Sequence, residues 1–472
     1  MTHLNKNIQS KMTVLKRSEP VPFGMGIDRH ARLFKYDDKV IRAIQPEFSD
    51  FYKKILDDKV VKKLIDDNIL IQTKISPLRL DGYGLVLEHP LLPFISYPFE
   101  WTPSMLKDAA RNILKLNLAL LKNGLTTQDA HPWNVMFDGT MPKFVDFTSI
   151  IKTSPNARWD AVGEFNAYCL NSLRLMSKGY STTVRSALHE IFRYPDPDLV
   201  RDLCKDNQTI YSYVQDVLGK IVKYLSCSAQ HDTMLEGIKQ IERMIEEVES
   251  INVKPRASEW SNYYSGENEL PIYDGSIGGL NSIRTATPKH ALIDSLLERI
   301  KPETVLDIGC NRGLYSQMAA SRGAKVIGID MDEQALDQMY HDSKSIGSYV
   351  LPLYLNAIAP MEAIGFKEIP FPSVTERLQS ECVLCLALVH HFVFKKSQMD
   401  FKHIAKLLSS YSKKYLIVEF VPKEDKHVSK WYTDRHNWYT AENFKSELGR
   451  YFKGVKVHQS FPATRLIFFC EK

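Results

Sequence analysis

The stretch TVLDIGCNRGLYSQMAASRGAKVIGID, residues 304–330, decides the fold of the C-terminal half of the chain. Residues 304–308 are apolar and β-branched and predict a short strand, and residues 314–321 predict a helix after a glycine-bearing turn. Residues 325–329 predict a second strand that ends at Asp330. The unit is therefore a strand, a glycine loop, a helix and a second strand, with an acidic side chain at the tip of the second strand.

The loop GCNRG, residues 309–313, has the features of a ligand-binding turn. Gly309 and Gly313 allow a tight turn and let the backbone approach a ligand closely. Asp330 can accept hydrogen bonds from both hydroxyls of a ribose. The spacing D-x-G-x-x-x-G departs from the dinucleotide fingerprint and places Asp307 just before the loop. Since a carboxylate there repels a pyrophosphate but attracts a cationic amino-acid group, the pattern favours S-adenosylmethionine over NAD.

The segment VLDIGCNRG, residues 305–313, resembles the first motif of class I S-adenosylmethionine-dependent methyltransferases, and Asp330 matches their ribose-binding acid. The resemblance implies an α/β fold with a Rossmann-like seven-stranded sheet in this half, and S-adenosyl-L-methionine as the cofactor. The expected cofactor-binding residues are Asp307, Gly309, Cys310, Asn311, Gly313, Asp330, Met331 and Asn356.

Two of these residues concern the adenine. The third predicted strand, residues 349–355, ends before Asn356, where the family commonly has an aspartate against the adenine amine. An asparagine can still accept one such hydrogen bond, so this departure weakens the adenine contact without abolishing it. Met331 either packs on the adenine or belongs to the ordinary core.

Two histidines follow the fourth predicted strand, residues 381–389. His390 and His391 thus come at the carboxyl end of a parallel strand, which is the edge where ligands bind in this fold. A neutral imidazole, with an ordinary pKa of about 6.5, can take a proton from an acceptor hydroxyl. The alternative is that one histidine caps the next helix and the other packs in the core.

Glu419, in the fifth predicted strand at residues 415–420, is a third candidate for the acceptor site. Its carboxylate would orient a histidine or bind the acceptor, and the alternative is a surface acid. Cys382 and Cys385 have a metal-like spacing, but alternation along a strand points them to opposite faces, so we expect no metal site there. Residues 431–439 form an aromatic and basic insertion that is either an acceptor lid or a packed loop.

A narrower resemblance covers residues 284–472. The segments LALVHHFVFK, IVEFVPKEDKHV, WYTAENF and TRLIFFCEK are similar to those of the nodulation-protein (NoeA-like) class I methyltransferases. The segment ISYPFEW, residues 95–101, and the 125–150 loop also recur in that group, where this half accompanies the methyltransferase. The resemblance implies methyl transfer, with a poorly defined acceptor.

The N-terminal half carries the segment LTTQDAHPWNVMFDGTMPKFVDFTSI, residues 125–150. It resembles the aminoglycoside-phosphotransferase pattern D-x-H-P-x-N followed by D-F. The resemblance implies a kinase-like α+β domain in which Asp129 is the base, Asn134 a magnesium ligand and Asp146 a second metal-binding acid.

Three departures put phosphotransfer in doubt. Thr127 stands where the pattern has a histidine, and Thr148 replaces the glycine after Asp146-Phe147. Arg42 lies roughly where the nucleotide lysine would be, and arginine and lysine are not interchangeable at a phosphate contact. We therefore expect a degenerate kinase fold that binds or positions an acceptor or partner. The alternative is an active phosphotransferase that binds magnesium-ATP at these residues.

The chain of 472 residues is too long for one ordinary domain. A helical run ends before Pro255 and a Ser-, Asn- and Gly-rich stretch follows, which predicts domains at 1–255 and 256–472. The net charge of +5 is spread over 61 basic and 56 acidic residues, so no nucleic-acid-binding face is indicated. Seven scattered cysteines and the absence of an apolar membrane-length run or signal peptide predict a cytoplasmic protein.

The sequence as a whole predicts a methyltransferase that uses S-adenosylmethionine to O-methylate a carbohydrate or small metabolite. The N-terminal domain would position the acceptor or a partner. Two alternatives remain: a bifunctional enzyme that phosphorylates and methylates its acceptor, and a non-catalytic protein whose two folds only bind ligands. The oligomeric state cannot be derived from the sequence.

Overall fold

A computed structural model describes most of the chain. The described residues are 14–15, 21–22, 28–153, 159–190, 193–204, 233–258, 283–361, 364–366, 369–395 and 398–472. The polar stretch on which the domain boundary was predicted lies largely at 259–282, outside the described residues, so the boundary near residue 255 stays a prediction. None of the helices in the described ranges combines the length and the hydropathy that a membrane crossing requires.

The strands of the N-terminal part are β1 (Val14–Leu15), β2 (Val21–Pro22), β3 (Ala31–Tyr36), β4 (Lys39–Ile44), β5 (Lys74–Ile75), β6 (Arg79–Leu80), β7 (Leu85–Pro90), β8 (Leu125–Thr127), β9 (Val135–Asp138), β10 (Met141–Phe144) and β11 (Ile150–Lys152). Five of them form an antiparallel sheet with the strand order β2-β3-β4-β7-β5. The helices of this part are α1 (Ser49–Asp57), α2 (Lys59–Asp66), α3 (Pro103–Leu121), α4 (Val162–Phe165), α5 (Asn171–Ser177), α6 (Ser181–Leu188), α7 (Pro197–Leu203) and α8 (Thr233–Ser250).

Helix α3 is the central helix of this part. Thr102 caps it, since its Oγ1 accepts a hydrogen bond from the Met105 N–H at 3.3 Å, and proline stands in the first turn, where no N–H partner is needed. Fourteen of its 19 residues are buried, because α3 packs on α8, on the β8–β10 region and on the C-terminal part.

The strands of the C-terminal part are β12 (Thr304–Ile308), β13 (Lys325–Asp330), β14 (Val350–Tyr354), β15 (Ile364–Phe366), β16 (Ile369–Phe371), β17 (Ser380–Cys385), β18 (Ser412–Phe420), β19 (Gly454–Gln459) and β20 (Leu466–Glu471). Seven of them form one sheet with the order β14-β13-β12-β17-β18-β20-β19. The helices of this part are α9 (Pro288–Ile300), α10 (Leu314–Ala320), α11 (Glu333–Ser345), α12 (Val374–Arg377), α13 (Val389–Phe394), α14 (Phe401–Tyr411) and α15 (Ala441–Leu448).

Within this sheet only β20 runs against its neighbours, and the other strands are parallel. Parallel strands connected by helices are covered on both faces, which explains why Val305 and Leu306, on opposite faces of β12, are both fully buried. The predicted α/β fold with a Rossmann-like seven-stranded sheet is confirmed.

The fourth strand was predicted too long. Strand β17 ends at Cys385, Ala387 has a φ of +51°, and α13 begins at Val389, so His390 and His391 lie on a helix. The apolar run that covers both elements cannot by itself distinguish a buried strand from a buried helix.

The two parts are joined by a buried ion pair. The side chains of Glu100 and Arg377 are both 0% exposed, and Arg377 Nη1 donates to Glu100 Oε2 at 2.9 Å. The same Nη1 donates to the Ile95 carbonyl at 2.7 Å, and Glu100 also accepts the Tyr97 N–H at 2.9 Å. Burial raises the pKa of Glu100, and the Arg377 charge opposes that shift.

A second polar cluster joins α3 to α11. Ser104, in the first turn of α3, donates from its backbone N–H and its hydroxyl to Asp337 at 3.0 and 2.8 Å. The Tyr340 hydroxyl donates to Asp108 at 2.5 Å, and Lys344 is paired with the same carboxylate. The start of α3 is therefore fixed against the helix that follows Asp330.

Removing one partner of the buried Glu100–Arg377 pair is expected to destabilise the folded protein strongly. Arg377→Met leaves the Glu100 carboxylate buried without its counter-charge, and we expect a loss of about 3–5 kcal/mol in the free energy of unfolding. The exposed pair Lys53–Asp50 is the control, since Lys53→Ala should cost less than about 1 kcal/mol. Urea unfolding of both variants measures the difference, and equal losses would contradict the account.

Candidate active site

The glycine loop between β12 and α10 is held tightly against its surroundings. Gly309 and Gly313 have φ values of +74° and +79°. A Cβ atom on Gly309 would lie 2.8 Å from Leu388 Cδ2, and one on Gly313 would lie 2.7 Å from the Met339 sulfur. Both positions therefore require glycine on two grounds, the backbone conformation and the available space.

The carboxylate of Asp330 is fixed by the loop and by the turn that follows β13. It accepts the backbone N–H groups of Asn311 at 2.8 Å, Met331 at 2.7 Å and Asp332 at 3.0 Å. Burial raises its pKa, and the three N–H donors oppose the shift. Since a carboxylate offers about four lone-pair sites, Asp330 keeps capacity for about one further hydrogen bond.

Asp307 points into the fold. It is 2% exposed, and its Oδ2 accepts a hydrogen bond from the Ser316 hydroxyl at 2.6 Å. Burial raises the pKa of Asp307 to about 6, and the charge of Asp330 adds to this effect. The thiol of Cys310 also faces inward, 3.8 Å from the Met339 sulfur, and burial raises its pKa well above the ordinary value.

A cavity of about 680 Å³ lies beside Asp330. Asp330 and Met331 line it, and Met331 is 54% exposed. Asn356 is not among its lining residues; it lies two positions beyond β14, where its Oδ1 accepts the Ile358 N–H at 3.2 Å. The residues that sequence reasoning missed here are Thr182, Arg185, Arg256, Ala257, Ser258, Asp332, Glu333 and Tyr354.

These missed residues differ in how far they could have been foreseen. Tyr354 ends the third strand, and its place at the carboxyl edge of the sheet was available from the strand prediction. Thr182 and Arg185 come from α6 in the N-terminal part, and no local sequence signal connects them to a site about 150 residues later.

The two histidines lie together beneath an aromatic side chain. The rings of His390 and His391 are 4.3 Å apart, and Trp431 stacks on His390 at 6.1 Å. His390 is 5% exposed, and burial lowers its pKa to about 2, with the charges of His391 and Arg465 acting in the same direction. In the described part of the chain the buried His390 Nδ1 has no hydrogen-bond partner. Neutral His390 therefore presents this nitrogen to the protein interior.

Glu419 is fully buried, so its alternative interpretation as a surface acid is wrong. Its Oε2 is 2.6 Å from Lys289 Nζ, and its Oε1 accepts the Ser460 hydroxyl at 2.9 Å. Lys289 lies at the start of α9 and its ammonium group is 5.4 Å from the centre of the Tyr315 ring. The described contacts of Glu419 are thus to Lys289 and Ser460, and sequence reasoning missed both partners.

The kinase-like segment of the N-terminal part contains an arginine at its centre. Arg42, on β4, donates from Nη1 to Asp146 Oδ1 at 2.8 Å and from Nη2 to the Val145 carbonyl at 3.1 Å. It also bonds the Thr148 hydroxyl, and Asp28 lies 3.6 Å away. Arg42 is buried, and its guanidinium group is in direct contact with one oxygen of the Asp146 carboxylate.

The other predicted residues of this segment lie nearby. Burial raises the pKa of Asp129, and the charges of Asp146 and Asp28 add to the shift, which brings these acids into one electrostatic group. Asn134 Nδ2 is buried and makes no hydrogen bond within the described ranges. No cluster of three or more His, Cys, Asp or Glu side chains suited to a metal ion occurs among the described residues.

The strand order defines the class of the C-terminal part. A seven-stranded sheet in which only the penultimate strand in space, β20, is antiparallel, with a glycine loop after β12 and an acid at the tip of the neighbouring β13, is the class I methyltransferase fold.

Comparison with known proteins agrees with this class. The chain is 27% identical over 458 residues to nodulation protein NoeA of Rhizobium meliloti (strain 1021), covering 94% of each protein. The predicted NoeA-like resemblance is therefore confirmed, and it extends over both parts. A stretch of 44 residues is 43% identical to ubiquinone biosynthesis O-methyltransferase of Nitrosomonas europaea, covering 9% of this chain and 19% of that protein. No family model matches the chain.

Among solved structures, the chain is similar to the bifunctional kinase-methyltransferase WbdD. The match has a TM-score of 0.30 and 18% identity, and covers 42% of this chain and 41% of that one. At this TM-score the match adds nothing to the strand order, which defines the fold by itself.

Two matched variants separate the two reasons for glycine at position 313, which are the backbone conformation and the space left by Met339. Gly179 has a φ of +86° but nothing within 4 Å of an added Cβ, so Gly179→Ala tests the conformation alone. We expect Gly313→Ala to lower the free energy of unfolding by about 1–3 kcal/mol more than Gly179→Ala, because Met339 must move. Urea midpoints provide the comparison, and equal costs would show that the Met339 contact is unimportant.

The raised pKa of Asp307 gives a pH dependence of definite sign. An acid that titrates near 3.9 in the unfolded chain and about 6 in the fold binds its proton more tightly when folded. Its contribution to stability is therefore complete below pH ~4 and falls by about 2–3 kcal/mol as the pH rises through ~6. Asp307→Asn should lack this component. A stability difference between the two proteins that stays constant from pH 4 to 7 would contradict the assignment.

Proposed function

We propose that the chain is an S-adenosylmethionine-dependent methyltransferase that methylates a hydroxyl oxygen of a carbohydrate or another small molecule. The observation that carries the proposal is the placement of Asp330, at the tip of β13, with its carboxylate held against the loop that contains Gly309 and Gly313. The full-length similarity to nodulation protein NoeA and the short similarity to an O-methyltransferase support it.

The residues at this edge of the sheet fit an adenosyl ligand. Asp330 keeps hydrogen-bonding capacity for a ribose hydroxyl, Met331 offers an exposed apolar surface beside it, and the adjoining cavity has the size of a small-molecule site. Asp307, whose carboxylate accepts the Ser316 hydroxyl, would act on the cofactor through its negative charge just before the glycine loop. S-adenosylmethionine, when bound, supplies a methyl group already activated by a sulfonium charge.

The protein's own task is then to position the acceptor and receive its proton. His391 is half-buried beside Trp431 and is the better candidate for the base, because it is more accessible to an acceptor than the buried His390. His390 has a pKa far below that range, so its role would be to accept a hydrogen bond in neutral form. Glu419 would contribute indirectly, by holding Lys289.

The N-terminal part would position the acceptor or a partner without transferring phosphate. Arg42 carries a fixed positive charge directly against Asp146, the residue expected to bind a metal ion. A bound Mg²⁺ would have to share the Asp146 carboxylate with that fixed positive charge, which supports a binding role over phosphotransfer. The bifunctional and the purely ligand-binding alternatives are outcomes of the following test.

The test is a thermal-shift titration of the full chain with S-adenosylmethionine, S-adenosylhomocysteine and Mg-ATP. A ligand at about 100 times its Kd stabilises the folded state by about 2.7 kcal/mol, which is a shift of several degrees in Tm. We expect both adenosyl ligands to raise the Tm of the wild type and of Asp198→Ala, an exposed surface control, but not of Asp330→Ala.

Each of the other outcomes has a definite meaning. No adenosyl shift in the wild type would overturn the proposal. A Mg-ATP shift that Asp146→Ala abolishes would favour the bifunctional enzyme. Adenosyl binding without transfer of labelled methyl to any fraction of a cell extract would favour the non-catalytic alternative.

A further inference from the structure

The cavity beside Asp330 is built by both parts of the protein. Asp330, Met331 and Tyr354 line it from the ends of β13 and β14, whereas Thr182 and Arg185 line it from α6 in the N-terminal part. A class I methyltransferase sheet supplies the first set by its topology. The second set belongs to no element of that sheet.

Arg185 is held in place from three directions. Its Nη1 is 2.6 Å from Glu333 Oε1, its Nη2 donates to the Trp101 carbonyl at 2.9 Å, and its guanidinium carbon is 4.1 Å from the centre of the Tyr354 ring. The side chain is only 11% exposed, and its buried Nε makes no hydrogen bond within the described structure. A planar guanidinium group can stack on a ring and bond in its own plane at the same time, which a lysine cannot.

Through these contacts Arg185 is connected to Asp330, the proposed ribose-binding acid. Glu333 is the first residue of α11 and lies three positions after Asp330, and Tyr354 is paired with Asp330 across β13 and β14. Arg185 therefore fixes one residue on each side of the strand tip that carries Asp330. Its own side chain lines the cavity together with Asp330 and Tyr354.

We propose that Arg185 is a cofactor-positioning residue contributed by the N-terminal part, which closes the adenosine end of the S-adenosylmethionine site. This inference rests on the proposed function. It makes α6 a wall of the methyltransferase site, so the N-terminal part is needed for cofactor affinity irrespective of any acceptor it binds.

Isothermal titration of the full chain with S-adenosylhomocysteine tests the residue. We expect Arg185→Ala to raise the Kd at least tenfold and Arg185→Lys to raise it less, because the charge remains but the stacking is lost. Arg201→Ala, an exposed arginine on the next helix, should stay within twofold of the wild type.

Hydrogen exchange on the wild type tests the same inference without any substitution, in case Arg185→Ala fails to fold. S-adenosylhomocysteine should slow exchange of the amides of α6 as well as those after β13, while the amides of α1 should be unaffected. Unchanged exchange in α6, or an Arg185→Ala Kd within twofold of the wild type, would overturn the inference.

The parallel variant Asp330→Ala separates this failure from a failure of the proposed function. If the wild type binds and Asp330→Ala does not, but α6 and Arg185 are insensitive, only the role of Arg185 falls. If the wild type itself does not bind S-adenosylhomocysteine, the proposed function and the role of Arg185 fall together.

Discussion

The buried ion pair between Glu100 and Arg377 is the interaction on which the arrangement of the two parts depends. Both charges are removed from water completely; Arg377 also donates to the Ile95 carbonyl, and Glu100 also accepts the Tyr97 N–H. Such a pair is weak evidence for high stability, because the loss of hydration offsets most of the attraction. It is strong evidence for a single docking geometry, since any displacement leaves a charge buried and unpaired.

Further contacts between the two parts connect this docking geometry to the candidate active site through α11. The first turn of α3 binds Asp337, and Asp108 in the next turn binds Tyr340 and Lys344. The helix so fixed begins at Glu333, three residues after Asp330, and Glu333 is itself paired with Arg185. The position of Asp330, the proposed ribose-binding acid, is thus determined from one side by the sheet and from the other by the N-terminal part.

Local features were predictable and distant contacts were not. The sequence located β12 to the residue, and β13 within one residue, because strand propensity, the glycine turn and the terminal acid all act over a few positions. It extended β17 into α13, because a continuous apolar run satisfies both a buried strand and a buried helix. Lys289 beside Glu419, and Arg185 beside Tyr354, depend on packing between elements far apart in the chain, and a single sequence carries no signal of such pairs.

The charge neutralisation within the kinase-like segment follows from the same physical constraint, which is the cost of burying an unpaired charge. A nucleotide site needs an open acid for its metal ion, whereas a structural wall needs its charges neutralised within the protein. In the N-terminal part Arg42 neutralises Asp146 and bonds Thr148, which stands where the expected pattern has glycine. Tyr52, fully buried, donates to the Thr148 carbonyl at 2.6 Å and fastens α1 to the same segment. Arg42 and Thr148, which depart from the phosphotransferase pattern, are therefore also the residues that neutralise this segment within the protein, as the proposed supporting role of the N-terminal part requires.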